Sequence, residues 1–438
     1  MIKLYNSKTL NVEEFKPIKE GHVDMYVCGP TVYNYVHIGN MRPVITFDMV
    51  YNYLKYLGYD VKYASNYTDI NPKITKAAKE LSITEREVAD KFIKAYEEDL
   101  KNYNCSTIDY RPRVINYLED IFNFINKLIE KDYAYVVDGD VYFRVSKIKD
   151  YGILSNQGTD ELISGSRVDI DNKKENPLDF ALWRKTTEGE RFNSPWGEGI
   201  PGWHTECVVM INKLFGSKID IHAGGVDLKF PHHENEIAQS IAENNNHIAN
   251  YWMHNGHINI NNEKMSKSLN NFILAKDFIK EHSANVIKLA FLSTHYRQPL
   301  NLTDKVFEEA TNIDNKINIV LKNANLELNI SNIHQIKEEK DNTFEEYMND
   351  DFNTPNVITL LLSLVKELNQ EIRNKGKNIL LLTNKILTIT KILGLKYSMP
   401  ELTDEQKETY NNWIKAREEK DYAKADNLRE KLVQENIL

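Results

Sequence analysis

Apolar positions change period several times along the chain, and the changes divide it into blocks. Met25-Tyr-Val-Cys28 follows a polar lead-in and reads as a strand end, which Gly29-Pro30-Thr31 breaks. From Met41 to Leu57 the period is helical, with Val44, Phe47, Val50, Tyr51 and Leu54 on one face. Gly58 stands where a helix C-cap glycine belongs. Asp60 to Tyr67 predicts the next strand, so the chain opens a parallel α/β sheet. From about Cys105 to Pro195 the pattern is interrupted by a helix over Arg113–Ile129, a hairpin over Tyr133–Val145 turning at Asp138-Gly139, and a charged loop from Gly165 to Asn176. It resumes near Gly202, with a strand at Ile219–His222 and a helix opened by Pro231.

After about Val286 the period is helical throughout. Thr354-Pro355 predicts a helix start with a capping Thr, and Val357, Leu360, Leu361, Leu364, Val365 and Leu368 form its core stripe. Gly394 ends the following helix, and Thr403 with Gln406 predicts a capping box. The expected fold class is α/β: a Rossmann-like domain with a parallel sheet and an inserted α+β segment, followed by an all-α C-terminal region. The expected boundaries are 1–104 and 196–285 for the two halves of the nucleotide-binding domain, 105–195 for the insertion, and 286–343 and 344–438 for two helical regions.

A chain of 438 residues exceeds one hydrophobic core, which agrees with several domains. No run of eighteen apolar residues indicates a transmembrane helix, and the start MIKLYNSKTLNVEEF turns polar too soon for a secretory signal, so a cytoplasmic, membrane-free protein is expected. Three cysteines are too few for a disulfide framework, which leaves their thiols for metal binding or catalysis. A net charge of −9 weighs weakly against general nucleic-acid binding but leaves room for local basic patches.

Three constellations carry chemistry. His37-Ile-Gly-Asn40 lies between the first strand and the Met41 helix, where backbone N–H groups favour phosphate and Gly39 permits close approach. Lys264-Met-Ser-Lys-Ser268 follows a hairpin strand at Gly256–Ile260 and two turn-forming asparagines, and its two lysines suit a triphosphate. No P-loop is present. Cys28, Cys207, a histidine of Pro231-His-His-Glu-Asn-Glu236 and Glu236 form a credible zinc set, although spacing alone does not choose between His232 and His233.

The first two motifs, in this order, resemble those of class I aminoacyl-tRNA synthetases. Tyr26-Val-Cys-Gly-Pro-Thr-Val-Tyr33, Gly202-Trp-His-Thr-Glu-Cys207, the segment His222 to Glu236 and Asp351-Phe-Asn-Thr-Pro355 make the chain similar to cysteinyl-tRNA synthetases over nearly its whole length. That resemblance implies ATP-dependent activation of L-cysteine and its transfer to the terminal adenosine of tRNA(Cys). It implies one Zn2+ per chain on Cys28, Cys207, His232 and Glu236, and Mg2+ with ATP. It also implies catalytic roles for His37, Asn40, Lys264 and Lys267, with His37, Gly39 and Lys267 binding ATP. Cys28, Gly29, Thr31, Thr68, Trp203 and Asp227 would bind substrate, residues 286–343 would contact the tRNA stem, 344–438 the anticodon, and a monomer is the family's usual form. In place of the family's common residues stand Asn40, Asn71-Pro72 (for two aspartates), Asn262 and Asn270; the chain also stops at Leu438 without the usual acidic, Trp/Arg-containing tail. Two other readings are a ligase joining cysteine to an amino sugar and a non-catalytic, zinc-containing RNA-binding paralogue.

Overall fold

The computed structural model describes residues 1–105, 107–156, 172–264, 272–333, 335–435 and 437. It divides into two compact units, Met1–His282 with Tyr296–Leu302, and Ser283–His295 with Thr303–Leu438.

In the first unit, β1 (Lys3–Asn6) and β2 (Asn11–Glu14) form a hairpin ahead of β3 (His22–Val27), α1 (Ile38–Tyr56) and β4 (Asp60–Ala64). With β10 (Ile219–Gly225) and β11 (Ala249–Asn255) these give a four-stranded parallel sheet in the order β11-β10-β3-β4. The chain leaves β3 for one neighbour and β10 for the other, so their carboxyl ends diverge. Open α/β sheets place ligands in the crevice at such a reversal. Met25, Tyr26, Ile221, Ala223, Trp252 and Met253 are buried, as strands covered on both faces require.

Helix α1 departs from the one-faced pattern expected of it. Most of its residues are buried, Arg42 and Asp48 included. It also begins at Ile38 rather than Met41, with His37 as N-cap and the His37 N–H donating to Asn40 Oδ1 at 3.1 Å. The His37–Asn40 motif is therefore the first turn of the helix, not a loop before it. Gly58 follows the C-cap at φ +92°, as expected.

Between β4 and β10 lie α2 (Pro72–Leu81), α3 (Glu85–Asn102), α4 (Leu118–Glu130) and a five-stranded antiparallel sheet. Its strands are β5 (Ala134–Val137), β6 (Asp140–Phe143), β7 (Phe180–Lys185), β8 (Phe192–Ser194) and β9 (Gly197–Pro201). Asp138 and Gly139 turn the first hairpin at φ +51° and +89°, the signature of a two-residue type I′ turn. The helix expected over Arg113–Ile129 starts as a tight turn at Val114–Tyr117. Of the loop expected from Gly165 to Asn176, residues 165–171 lie outside the described residues. Asn71 caps α2 by accepting from the Lys73 N–H at 3.1 Å, with Pro72 in the first turn, so Asn71-Pro72 is a helix start.

Pro231 opens a helical turn as expected: Phe230 before it is extended (φ −135°, ψ 133°), as a capping residue is, and the turn runs on into the regular helix Glu234–Asn244. One further expectation is corrected: not everything after Val286 is helical. β14 (Leu300–Leu302) pairs in parallel with β12 (Ile258–Ile260), which forms a hairpin with β13 (Glu263–Lys264) through Asn261 and Asn262 at φ +49° and +70°.

The second unit is helical, with Asp304–Ile330, Thr354–Asn374, Ile379–Ile392, Asp404–Glu418 and Tyr422–Gln434 its longer helices. The cap at Thr354 is corrected by one residue. Asn353 caps the helix, and the Thr354 hydroxyl instead donates to the Leu292 carbonyl at 2.7 Å. The stripe from Val357 to Leu368 is buried apart from half-buried Leu360, and the Thr403–Gln406 capping box forms.

Candidate active site and metal centre

The crevice at the carboxyl ends of β3 and β10 is a cavity of about 510 Å³. Cys28, Gly29, Thr31, His37, Gly39, Asn40, Trp203 and Asp227 all line it, so eight residues singled out in the sequence meet in one place. Gly29 is there because a Cβ would sit 1.7 Å from the Asn66 carbonyl oxygen. Its N–H donates to Asn66 Oδ1 at 2.9 Å, which ties the β3 end to the loop after β4. Thr68 is not brought to the cavity wall; it is buried, and its hydroxyl donates to Glu206 Oε2 at 2.7 Å.

The side of the cavity formed by Gly256 and His257 is held by Arg42. Its buried guanidinium donates to the carbonyls of Gly256, His257 and Gln298 at 2.9, 2.7 and 2.6 Å, and burial pushes its pKa down to about 10. Gly256 and His257 also line the cavity. Ile38 N–H donates to Ile273 O and Ala275 N–H to Val36 O, both at 2.9 Å, so the segment following the lysine motif runs beside His37. The Lys264 backbone ends β13, while its side chain and all of Lys267 lie outside the described residues.

Behind Cys28 four ligand atoms converge. The sulfurs of Cys28 and Cys207 are 3.7 Å apart, Cys207 Sγ is 3.8 Å from His232 Nε2, and Cys28 Sγ is 3.8 Å from Glu236 Oε1. His232 Nε2 and Glu236 Oε1 are 2.9 Å apart. A tetrahedral ion with metal–sulfur bonds of ~2.3 Å and metal–N/O bonds of ~2.0–2.1 Å separates its ligands by about 3.4–3.8 Å. Three of these four distances match and the fourth is a few tenths short, so the set fits a metal ion. A second quartet, Cys28, His222, His233 and Glu236, also brings its ligand atoms within 4.8 Å of one another.

The electrostatics of the cluster favour cation binding. Burial alone would raise the Glu236 carboxyl, but the imidazoles of His222 and His232 hold it well below the usual range. Burial likewise disfavours charge on His232, yet Glu236 raises its pKa to about 10. The hydrogen bond from Cys28 helps push Cys207 down to about 6, while burial and the Cys207 neighbour push Cys28 up. The pair thus readily releases one proton, and a dication supplies the charge that favours losing the second.

Sequence reasoning missed His222 and His254 as parts of this site, and also Asn66 and Glu206, while it left His233 open beside His232. His222 Nε2 donates to Glu236 Oε2 at 2.5 Å, and its ring stacks on Trp252 at 4.6 Å. His233 Nδ1 lies 2.9 Å from His254 Nε2, whose other nitrogen is 2.8 Å from Ser7 Oγ. Burial holds both His233 and His254 well below the usual pKa. The available signal was polar residues inside otherwise apolar central strands, at His222 and His254. Trp203 stacks on His232 at 4.4 Å and 20°, so the metal cluster and the cavity wall are one packed unit.

Residues 14–312 match the family model for the class I (C) tRNA synthetase catalytic domain, and residues 343–397 match the DALR domain. The chain is 47% identical over 440 residues to the cysteine–tRNA ligase of Acholeplasma laidlawii, covering all of both chains. It is 46% identical to that of Bacillus velezensis, covering all of this chain and 97% of the relative. Among solved structures, Mycobacterium tuberculosis methionyl-tRNA synthetase with methionyl-adenylate aligns at a TM-score of 0.62 and 12% identity, over 85% of this chain and 89% of that one. At that identity the likeness speaks for the fold alone.

Proposed function

The chain belongs to the cysteine–tRNA ligase family of class I synthetases, and we propose the following division of labour among its residues. In the first half-reaction a carboxylate oxygen of cysteine attacks the α-phosphorus of ATP, and pyrophosphate leaves. In the second, the terminal ribose hydroxyl of tRNA attacks the acyl carbon, an ester forms, AMP leaves and the hydroxyl loses its proton.

His37 and the first turn of α1 steady the α-phosphate, where N–H groups and the helix dipole favour negative charge. Asn40 accepts from the His37 N–H through its oxygen, which leaves its amide N–H groups for the ligand. Gly39 lets the backbone approach the nucleotide, Lys264 and Lys267 neutralise the β- and γ-phosphates, and Mg2+ accompanies the ATP. Gly29, Thr31, Trp203 and Asp227 hold the amino acid, and Thr68 acts one step back by fixing Glu206. Catalysis is mainly positioning and charge stabilisation.

Cys28, Cys207, His232 and Glu236 would hold one zinc ion, whose chemistry is to bind a thiolate far better than a hydroxyl. The convergence of these four ligand atoms is the observation that carries the choice of cysteine over serine, which a small apolar pocket separates poorly. Only Cys28 of the four also lines the cavity, so the substrate sulfur meets the cluster there.

Residues 286–343 are assigned to the tRNA stem and 344–438 to the anticodon. A groove lined by Trp413, Arg417, Tyr422 and Arg429 supports the latter, since unstacked bases pack on aromatic and guanidinium planes. A cytoplasmic monomer completes the proposal; no described helix is long and apolar enough to cross a membrane. Charging of tRNA with radiolabelled cysteine, run beside cysteine-dependent ATP–pyrophosphate exchange, tests the reading. Both activities are expected. Exchange without charging would favour an amino-sugar acceptor, and neither would indicate a non-catalytic paralogue.

A further inference from the structure

Tyr35 stands two residues before His37, and its ring lines the crevice. The Lys276 ammonium, on the helix Ala275–Glu281, lies 3.5 Å from the centroid of that ring. Lys276 does not itself line the crevice, so the ring stands between this charge and the cavity. Buried Phe92 of α3 meets the same ring at 5.2 Å and 84°, edge to face. The backbone beneath is fixed as well. The Val36 carbonyl accepts from the Ala275 N–H at 2.9 Å, and the Tyr103 hydroxyl donates to the Ala275 carbonyl at 3.0 Å. Asp277, beside Lys276, is paired with Lys280 at 2.9 Å, which leaves the Lys276 charge to the ring and to buried Asp99. Burial pushes the Asp99 carboxyl up to about 6, against the pull of Lys276. The Tyr35 N–H donates to Asn34 Oδ1 at 2.8 Å, while among the described residues its hydroxyl has no partner.

Building on the assigned synthetase reading, we propose that the Tyr35 hydroxyl donates to a phosphate oxygen of ATP, and that Lys276 is a positioning residue acting through the ring. That reading gives cysteine to Gly29, Thr31, Trp203 and Asp227 and the α-phosphate to His37, and Tyr35 adjoins His37. A ring clamped on its face and at its edge presents its hydroxyl at a fixed place, so little freedom is lost when an anion binds. The ring's quadrupole holds the ammonium over its face. The ammonium in turn draws electron density from the phenol and makes its O–H a stronger donor, and hydrogen bonds to ionised oxygens are the strong ones. The contact does not depend on the bond being made or broken. It therefore serves bound ATP and the transition state alike, and lowers the KM for ATP without raising kcat.

Steady-state kinetics of cysteine-dependent pyrophosphate exchange separate the proposal from the reading beneath it. Tyr35→Phe keeps the ring and removes only the hydroxyl. Its KM for ATP is expected to rise about tenfold, the scale of one hydrogen bond to a charged group, with kcat and the KM for cysteine within about twofold. Thermal midpoint and metal content should match the unaltered chain. Lys276→Met should raise the KM for ATP about threefold, and Lys276→Arg should restore it, since a guanidinium also sits over aromatic faces. The Y35F/K276M pair should be no more than about twofold worse than Tyr35→Phe alone, because Lys276 works through the phenol. An unchanged KM for ATP in Tyr35→Phe, an equal rise in the KM for cysteine, or losses that multiply in the pair would overturn the assignment. An unaltered chain without exchange would instead overturn the underlying function.

Discussion

Glu236 offers one oxygen to each of two neighbourhoods. On one side Oε1 faces Cys28 and His232, with Cys207 completing a quartet whose spacings suit a tetrahedral ion. On the other, Oε2 takes a hydrogen bond from His222, and beyond it His233 is bound into a chain through His254 to Ser7. Both sides are buried and both contain histidines, yet only the first holds two thiols, and Cys207 there is already poised to ionise. On the second side His222 and His233 each have one ring nitrogen hydrogen-bonded to Glu236 or His254, while His233 Nε2 also lies 3.3 Å from Cys28 Sγ. On this difference we assign the first quartet as ligands and the imidazole side as the groups that orient them, and the variants below decide between the two.

The comparison breaks most visibly at Cys207. Cys207→Ser should strip the tightly bound metal and cut cysteine-dependent exchange roughly a thousandfold, since a lost thiolate removes much of the binding free energy. Metal content by elemental analysis alongside exchange rates checks this; retention of the metal would move the site to the imidazole side. A large effect of another kind is expected at Arg42. Arg42→Ala removes the buried donor from the carbonyls of Gly256, His257, Tyr296 and Gln298 and should destabilise the catalytic unit by about 3 kcal/mol, read as a shift in denaturant midpoint, while the folded fraction keeps its metal.

His222→Ala should weaken metal affinity by about 10–100-fold, the usual cost of losing a partner that orients a ligand, measured by competition with a chelator. The smallest effect is assigned to His233→Asn, which should leave metal affinity within about twofold because its ring serves the hydrogen-bond chain. Loss of metal here together with retention in Cys207→Ser would select the second quartet.

The sequence disclosed these regions unequally, for physical reasons. The βαβ opening and the helical C-terminus were legible because period and caps are local, as at Gly58 and in the Thr403–Gln406 box. Where tertiary packing overrides local pattern, the reading slipped. Helix α1 buries Arg42 and Asp48 because distant carbonyls and Thr107 satisfy them, which no periodicity encodes. In the site, Cys28, Cys207 and Glu236 were found by their chemistry. The choice of His232 over His233 came from resemblance; His232 Nε2 approaches Cys207 Sγ at 3.8 Å and His233 Nε2 approaches Cys28 Sγ at 3.3 Å, so the ligand sets differ by which thiol each imidazole meets. His222 and His254 escaped because sequence spacing does not show which distant side chains meet them.

The account rests on a metal that meets the substrate sulfur beside Cys28. Replacing the metal with Co2+ and recording the near-ultraviolet sulfur-to-metal charge-transfer band during titration tests this most directly. Added L-cysteine should intensify the band by about one further thiolate, while L-serine leaves it unchanged. A spectrum indifferent to saturating cysteine, or one responding equally to serine, would contradict the account.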